Sequence, residues 1–223
     1  MEYFKDFVGQ FVNVEISGGK CFRGNFIDFG LDIVVIYNEK QFLYIPLVHI
    51  QNLTLSSANE SDIVSPPEAP IDNQAENISY RKILNNAKGR FLEIYVTGNK
   101  AIHGYLTSVM NDYFVFHSIV YKSIFVSLNH LKWLIPYHPD VTPYSLNRQS
   151  IPFNPPPTTL SRTFKEQCTK LQGNMVVFDL GDNPNKIGLL QTVNNNNNML
   201  ELITANGAKV YWNLQHLKTV NIA

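Results

Sequence analysis

The sequence predicts a mainly β protein made of three tandem five-stranded units, each preceded by a short helix. Three observations carry that expectation: an internal triplication, alternating strand patterns inside each copy, and proline-rich spacers between copies. A glycine is followed fifteen residues later by a second glycine, and then by a histidine in an aliphatic phrase, three times over. The copies are Gly9, Gly24 and His49 (in HIQNL); Gly89, Gly104 and His130 (in HLKWL); and Gly173, Gly188 and His216 (in HLKTV). A spacing held in all three copies marks a repeat architecture, in which one supersecondary unit is written again and again.

Each element follows from local pattern. Val12, Val14 and Ile16 alternate with Asn13, Glu15 and Ser17, which predicts a half-buried first strand. Gly18-Gly19 supplies a tight turn. A second strand runs through Phe22, Gly24 and Phe26, a third through IVVIY (Ile33 to Tyr37), a fourth through QFLYIP (Gln41 to Pro46) and a short fifth through IQNLTL (Ile50 to Leu55). FLEIYVTGNK followed by IHGYLTSV repeats the opening hairpin in copy two, and MVVFDLGDNPNK followed by IGLLQTV repeats it in copy three. Helix-like stretches EYFKDF, SYRKILNNA and TFKEQCTKL precede the three first glycines, and a glycine there can end a helix. The second glycine falls in mid-strand, where its usual meaning is a bend or a close backbone approach.

Ten of the twelve prolines fall within 55–78 (PPEAP) and 136–162 (including IPFNPPPTT). Proline lacks a backbone donor and fixes φ, so these stretches read as extended spacers. The expected organisation is repeat 1 at 1–55, an acidic linker at 56–78, repeat 2 at 79–135, a proline-rich linker at 136–162 and repeat 3 at 163–223. Net charge is zero but unevenly spread: −2 over 1–54, −5 over 55–78, +5 over 79–135 and +2 beyond. That gradient reads first as local solvated faces, and as a sharper alternative it lays the acidic linker along repeat 2.

Apolar residues make up 44% of the chain, enough to build cores. No apolar run approaches the roughly 20 residues that cross a bilayer, so no membrane insertion is expected. MEYFKDFVGQ lacks the basic and apolar regions of a secretory signal, which places the chain on the cytosolic side. Cys21 and Cys168 occupy non-equivalent places and belong to no CxxC pattern, so they read as buried or half-buried thiols, with neither a metal nor a disulfide framework.

A short helix followed by five strands, the second bent at a glycine, resembles the Sm-like small barrel, a family that includes Sm proteins and the bacterial Hfq RNA chaperones. The resemblance covers each copy outside the linkers. Sm proteins carry an Arg-Gly pair before the last strand, and Hfq carries Tyr-Lys-His there. This chain reads Leu47-Val48-His49, Leu128-Asn129-His130 and Leu214-Gln215-His216, keeping only the histidine. A closer resemblance is to the N-terminal three-repeat region of the Bacillus outer spore coat protein B family. Its repeats close on an aromatic-x-x-histidine-aliphatic-lysine type of phrase, matched best by VYWNLQHLKTV (Val210 to Val220) and next by YIPLVHIQNL (Tyr44 to Leu53). The Ser/Lys/Arg-rich tail of that family is absent from this sequence, so roles resting on the tail are not carried over. The resemblance implies a structural protein of the outer spore coat, synthesised in the mother-cell cytoplasm, with other coat proteins as partners.

The residues themselves point away from catalysis. His49, His130 and His216 repeat in register, but no carboxylate or nucleophile repeats at a spacing that would make a base and its orienter. They read as clasps of the turn before the last strand, with ring nitrogens bonded to backbone groups. His103, His117 and His138 are not repeated. No cofactor is implied. The alternative function is Sm/Hfq-like RNA binding, for which the one basic face is Arg81, Lys82, Lys88, Arg90 and Lys100, interleaved with Tyr80, Phe91 and Tyr95. A balance of 18 basic and 18 acidic side chains argues against nucleic acid as the main partner. Units of about 55 residues bury only ~60% of their unfolded surface, so assembly through edge strands is expected. Three units on one chain would make an arc or a closed triplet, and two chains a six-unit ring.

Overall fold

The structure is a computed structural model that describes residues 2–56, 68–71, 78–97, 100–146, 159–194 and 196–223. Residues 57–67 and 72–77 of the acidic linker and 147–158 of the proline-rich one lie outside them.

Three units succeed one another. The first holds a 3-10 helix (Glu2–Phe7) and strands β1 (Phe11–Ile16), β2 (Lys20–Phe29), β3 (Ile33–Tyr37), β4 (Phe42–Pro46) and β5 (Ile50–Leu55). The second holds helix α1 (Tyr80–Asn86) and strands β6 (Phe91–Tyr95), β7 (Ala101–Val109), β8 (Tyr113–Ser118), β9 (Lys122–Ser127) and β10 (Trp133–Pro136). The third holds helix α2 (Phe164–Lys170) and strands β11 (Met175–Phe178), β12 (Ile187–Val193), β13 (Met199–Ile203), β14 (Lys209–Asn213) and β15 (Thr219–Ile222). The opening helix of the first unit differs from the other two: it is 3-10 rather than α, and its Phe4 and Phe7 rings pack on Phe26 of their own unit.

All fifteen strands join one antiparallel sheet in the order β14-β13-β12-β11-β15-β9-β8-β7-β6-β10-β4-β3-β2-β1-β5. Each unit contributes the same internal order, fourth-third-second-first-fifth. The units are joined where β10 pairs β4 and where β15 pairs β9. The sheet is open, with β14 at one end and β5 at the other, so the arc forms and the closed triplet does not.

The second strand of every unit bends at the same place. Its pairing with the third strand shifts between Phe26 and Asp28, between Leu106 and Ser108, and between Leu190 and Thr192. Each shift comes just after the second repeated glycine, and such bulges sharpen local twist. At Gly104 an added Cβ would drive into the His117 carbonyl oxygen, and Gly24 and Gly188 meet the Tyr37 and Ile203 carbonyls in the same way. The backbone approach therefore demands glycine. The first glycines meet nothing, but Gly9, Gly89 and Gly173 hold φ of +80°, +73° and +81°, which a side chain strains.

The cores do not respect unit boundaries. Ile33, Val35, Tyr37 and Tyr44 of the first unit pack with Ile83, Leu84, Leu92 and Leu134 of the second. Tyr113, Val115 and Phe125 of the second pack with Phe164, Cys168 and Val176 of the third. Trp133 and Ile135 of β10 reach back into the first unit's own core of Val12, Val14 and Phe26. As a result β3, β4 and β8 are buried on both faces, whereas β13 alternates. Continuous apolar runs (IVVIY, YFVF) go with two covered faces, and the alternating MLELI with one.

One expectation needs correction. Cys21 is exposed rather than half-buried, because it lies on the solvent side of β2; Cys168 is buried, and burial pushes its thiol pKa up. The acidic linker's described part, Glu68–Ile71, sits against the first two units through backbone and an apolar anchor. Ile71 is fully buried with its N–H donating to the Tyr44 hydroxyl, and Arg90 donates to the Pro70 carbonyl.

Candidate functional site

Two of the three repeated histidines, His49 and His130, lie at the joints between units. At the first joint Leu134 of β10 lies opposite Tyr44 of β4, and at the second Val220 of β15 lies opposite Phe125 of β9. Counted from each unit's histidine, both pairs set the residue four after one histidine against the residue five before another. The register is the same at both joints. Tyr44, Phe125, Leu134 and Val220 are all at most 2% exposed, and burial pushes the Tyr44 phenol up to about 12.

The histidines stand on 3-10 turns, Leu47–His49, Leu128–His130 and Leu214–His216, just before each fifth strand. His130 Nε2 lies 2.9 Å from the Gln215 carbonyl of the next unit. A carbonyl only accepts, so Nε2 carries the proton. His49 holds Ser17 Oγ at 3.1 Å through Nδ1, and its buried Nε2 faces the Asn129 backbone of the next unit. Lys132 closes this joint by donating Nζ to the Ser17 carbonyl at 2.9 Å. His216 is exposed. The rings thus clasp between units as well as within a turn.

Burial lowers the His49 pKa below 6.5, helped by the charges of Lys132 and His130, and burial with Lys122 lowers His117 likewise. A base whose folded pKa is depressed takes up its proton more readily when unfolded, so stability is full above 6.5 and is lost as pH falls through that value. Thermal melting followed from neutral to mildly acid pH is expected to fall over that window, and His49→Gln to shallow the slope. An unchanged slope would show that His49 takes up its proton equally in the folded and unfolded chain.

A second joint device escaped the sequence reading. Asp32 Oδ1 accepts from the Tyr80 N–H at 2.7 Å, and Asp112 Oδ1 accepts from the Phe164 N–H at 2.7 Å. Tyr80 and Phe164 are the first residues of α1 and α2, so a loop carboxylate of one unit caps the helix of the next. The third unit carries Asn198 at the equivalent place, with its carbonyl bonded to Leu214 N as Asp32 and Asp112 bond Leu47 and Leu128. Asp112→Ala is expected to cost about 1 kcal/mol, read as a lowered denaturation midpoint, while Asp112→Asn keeps the acceptor and most of the stability.

The basic face is drawn partly into the structure. Arg81 donates to the Met110 carbonyl at 2.7 Å and to the Asn111 carbonyl at 2.5 Å, and Arg90 is bound to Pro70. Lys82, Lys88 and Lys100 are exposed. Elsewhere on the second unit the Tyr137 hydroxyl lies 2.7 Å from His103 Nδ1, which is 4.0 Å from Glu93, itself bonded by Tyr95. These groups satisfy one another, and the cluster has no counterpart in the other units. Among the described residues no three His, Cys, Asp or Glu side chains gather as a metal site, and no helix is long and apolar enough to cross a membrane.

Residues 163–220, from the cap of α2 into β15, match the family described as YwrJ third domain. Over 226 residues the chain is 43% identical to a Bacillus subtilis (strain 168) protein described as "Uncharacterized protein YwrJ", with 100% of both chains covered. The chain is a member of the YwrJ family. The match to the YwrJ family relative therefore runs through all three units of this chain.

Proposed function

We propose that the chain is a non-catalytic assembly protein of the bacterial spore coat, made of three Sm-like small barrels and working through protein–protein contacts. The observation that carries the reading is the joint: edge strands of neighbouring units pair in one register, twice, with a repeated histidine beside each joint. The internal strand order and the glycine-bent second strand support the Sm-like reading of each unit. The coat location rests on the resemblance to the spore coat protein B repeats and agrees with a relative from Bacillus subtilis. In this reading the chain is made in the mother-cell cytoplasm and laid on the outer coat, with other coat proteins as partners.

The RNA-binding alternative draws less support, because Arg81 and Arg90 are engaged with main-chain carbonyls, and clustered free cations are what phosphate binding requires. A fluorescent fusion imaged in a sporulating Bacillus host tests the proposal. A shell of signal around the forespore is expected; diffuse signal would overturn the coat assignment. Retention of single-stranded RNA at low ionic strength, lost with added salt, would favour the alternative.

A further inference from the structure

We infer that the two ends of the arc are one binding site split in half, and that a second copy of this chain joins them: β14 of one copy pairs antiparallel with β5 of the next, with Tyr211 opposite Leu53. This deepens the assembly reading by naming the partner.

Both joints inside the chain pair a fourth strand with the fifth strand of the following unit. Among the described residues the arc therefore ends in one unused fourth strand, β14, and one unused fifth strand, β5. These are complementary halves, so the contact they make between copies is head-to-tail. The register follows from the two joints already made. Residues four after and five before the repeated histidines face each other, which sets Leu53 (after His49) against Tyr211 (before His216).

Exposure marks the same residues. Tyr211 is 58% exposed, whereas its equivalents Tyr44 and Phe125 are 0% and 2% exposed. Leu53 is half-buried, whereas Leu134 and Val220 are fully buried. An aromatic residue at this place is covered in both units that have a neighbour and open in the one that does not. The clasp is also unspent. His130 reaches the carbonyl of the residue before the next histidine, Gln215. The residue before His49 is Val48, 73% exposed, so Val48 of the incoming copy offers its carbonyl to the exposed His216. At this joint the capping place is held by Asn198, whose Oδ1 already accepts from Lys165 Nζ at 2.8 Å, so the joint rests on strand pairing and the histidine. It is weaker than the two within the chain, and assembly rises with concentration.

The test combines mass with cross-linking. Light scattering of the full chain from micromolar to millimolar concentration is expected to show multiples of the 25.4 kDa chain. Tyr211→Glu is expected to return it to a single chain without a change in melting, since that side chain is already exposed. In a Cys21→Ser background, Leu53→Cys chains and Tyr211→Cys chains are oxidised each alone and as a mixture. The mixture is expected to give a cross-linked pair of about twice 25.4 kDa, and neither variant alone to do so. A wild type that stays single throughout, a Tyr211→Glu variant that keeps its multimer, or a mixture that fails to cross-link would each overturn the pairing. A chain that pairs this way but stays diffuse in sporulating cells overturns the coat location alone. A single chain that still coats the forespore overturns the pairing alone.

Discussion

Trp133→Ala is expected to lower stability by about 3–5 kcal/mol, the range for deleting a large buried aromatic. It should also separate the melting of the first unit from the rest. Trp133 is 3% exposed and belongs to β10 of the second unit, yet its indole fills the first unit's core. There it stacks on Tyr95 at 4.1 Å between ring centres and meets Phe22 edge-on at 4.9 Å. The substitution removes burial and ring contacts on both sides of one joint. In a linear array stability is the sum of unit and joint terms. Weakening one joint therefore leaves a unit of about 55 residues close to its own threshold. Calorimetry is expected to show one transition for the wild type and an additional, lower one for the variant. A variant that melts in one step with a loss under about 1 kcal/mol would mean that the joint carries little of the stability.

What was legible in the sequence was whatever a single unit enforces on itself. IVVIY forms β3 from Ile33 to Tyr37 because its branched, apolar residues suit a covered strand, and the mid-strand glycines permit approach to a facing carbonyl. What was not legible depends on contacts between units. Asp32 and Asp112 look like ordinary loop carboxylates until Tyr80 and Phe164, 48 and 52 residues away, bring their unpaired N–H groups to them. The histidines could be read as turn clasps, but the Gln215 carbonyl that His130 uses belongs to the next unit, 85 residues on. Arg81 and Arg90 looked free for phosphate because the carbonyls that hold them lie in distant loops. IVVIY and MLELI both read as strands, and that one is covered on two faces and the other on one follows only from the stacking order.

Asp179→Ala is expected to cost about 3–5 kcal/mol, the loss typical of breaking a buried ion pair from one side. Asp179 is completely buried in the third unit, where β11 stops after four residues. Its carboxylate takes over where backbone pairing ends: Oδ1 accepts from the Lys218 N–H at 2.7 Å and the Thr219 N–H at 3.0 Å, at the start of β15. Oδ2 accepts from Lys186 Nζ at 2.6 Å, and that ammonium also lies 5.3 Å from the Trp212 ring centre. Burial alone would lower the Lys186 pKa, but its bonds to Asp179 and Asp182 outweigh burial and raise it. Removing the carboxylate leaves two main-chain donors and a half-buried cation without their acceptor, and each unmet donor carries its own desolvation cost. Asp179→Asn separates the roles. With its oxygen kept on the two N–H groups, its amide nitrogen faces Lys186, donor against donor. Its loss is therefore expected to be smaller than that of alanine, and to shrink further when Lys186→Met removes the opposing cation. Denaturant unfolding of the three variants and the Asp179→Asn/Lys186→Met double variant measures this coupling. Additive losses would mean that Asp179 holds β15 through the two N–H bonds alone.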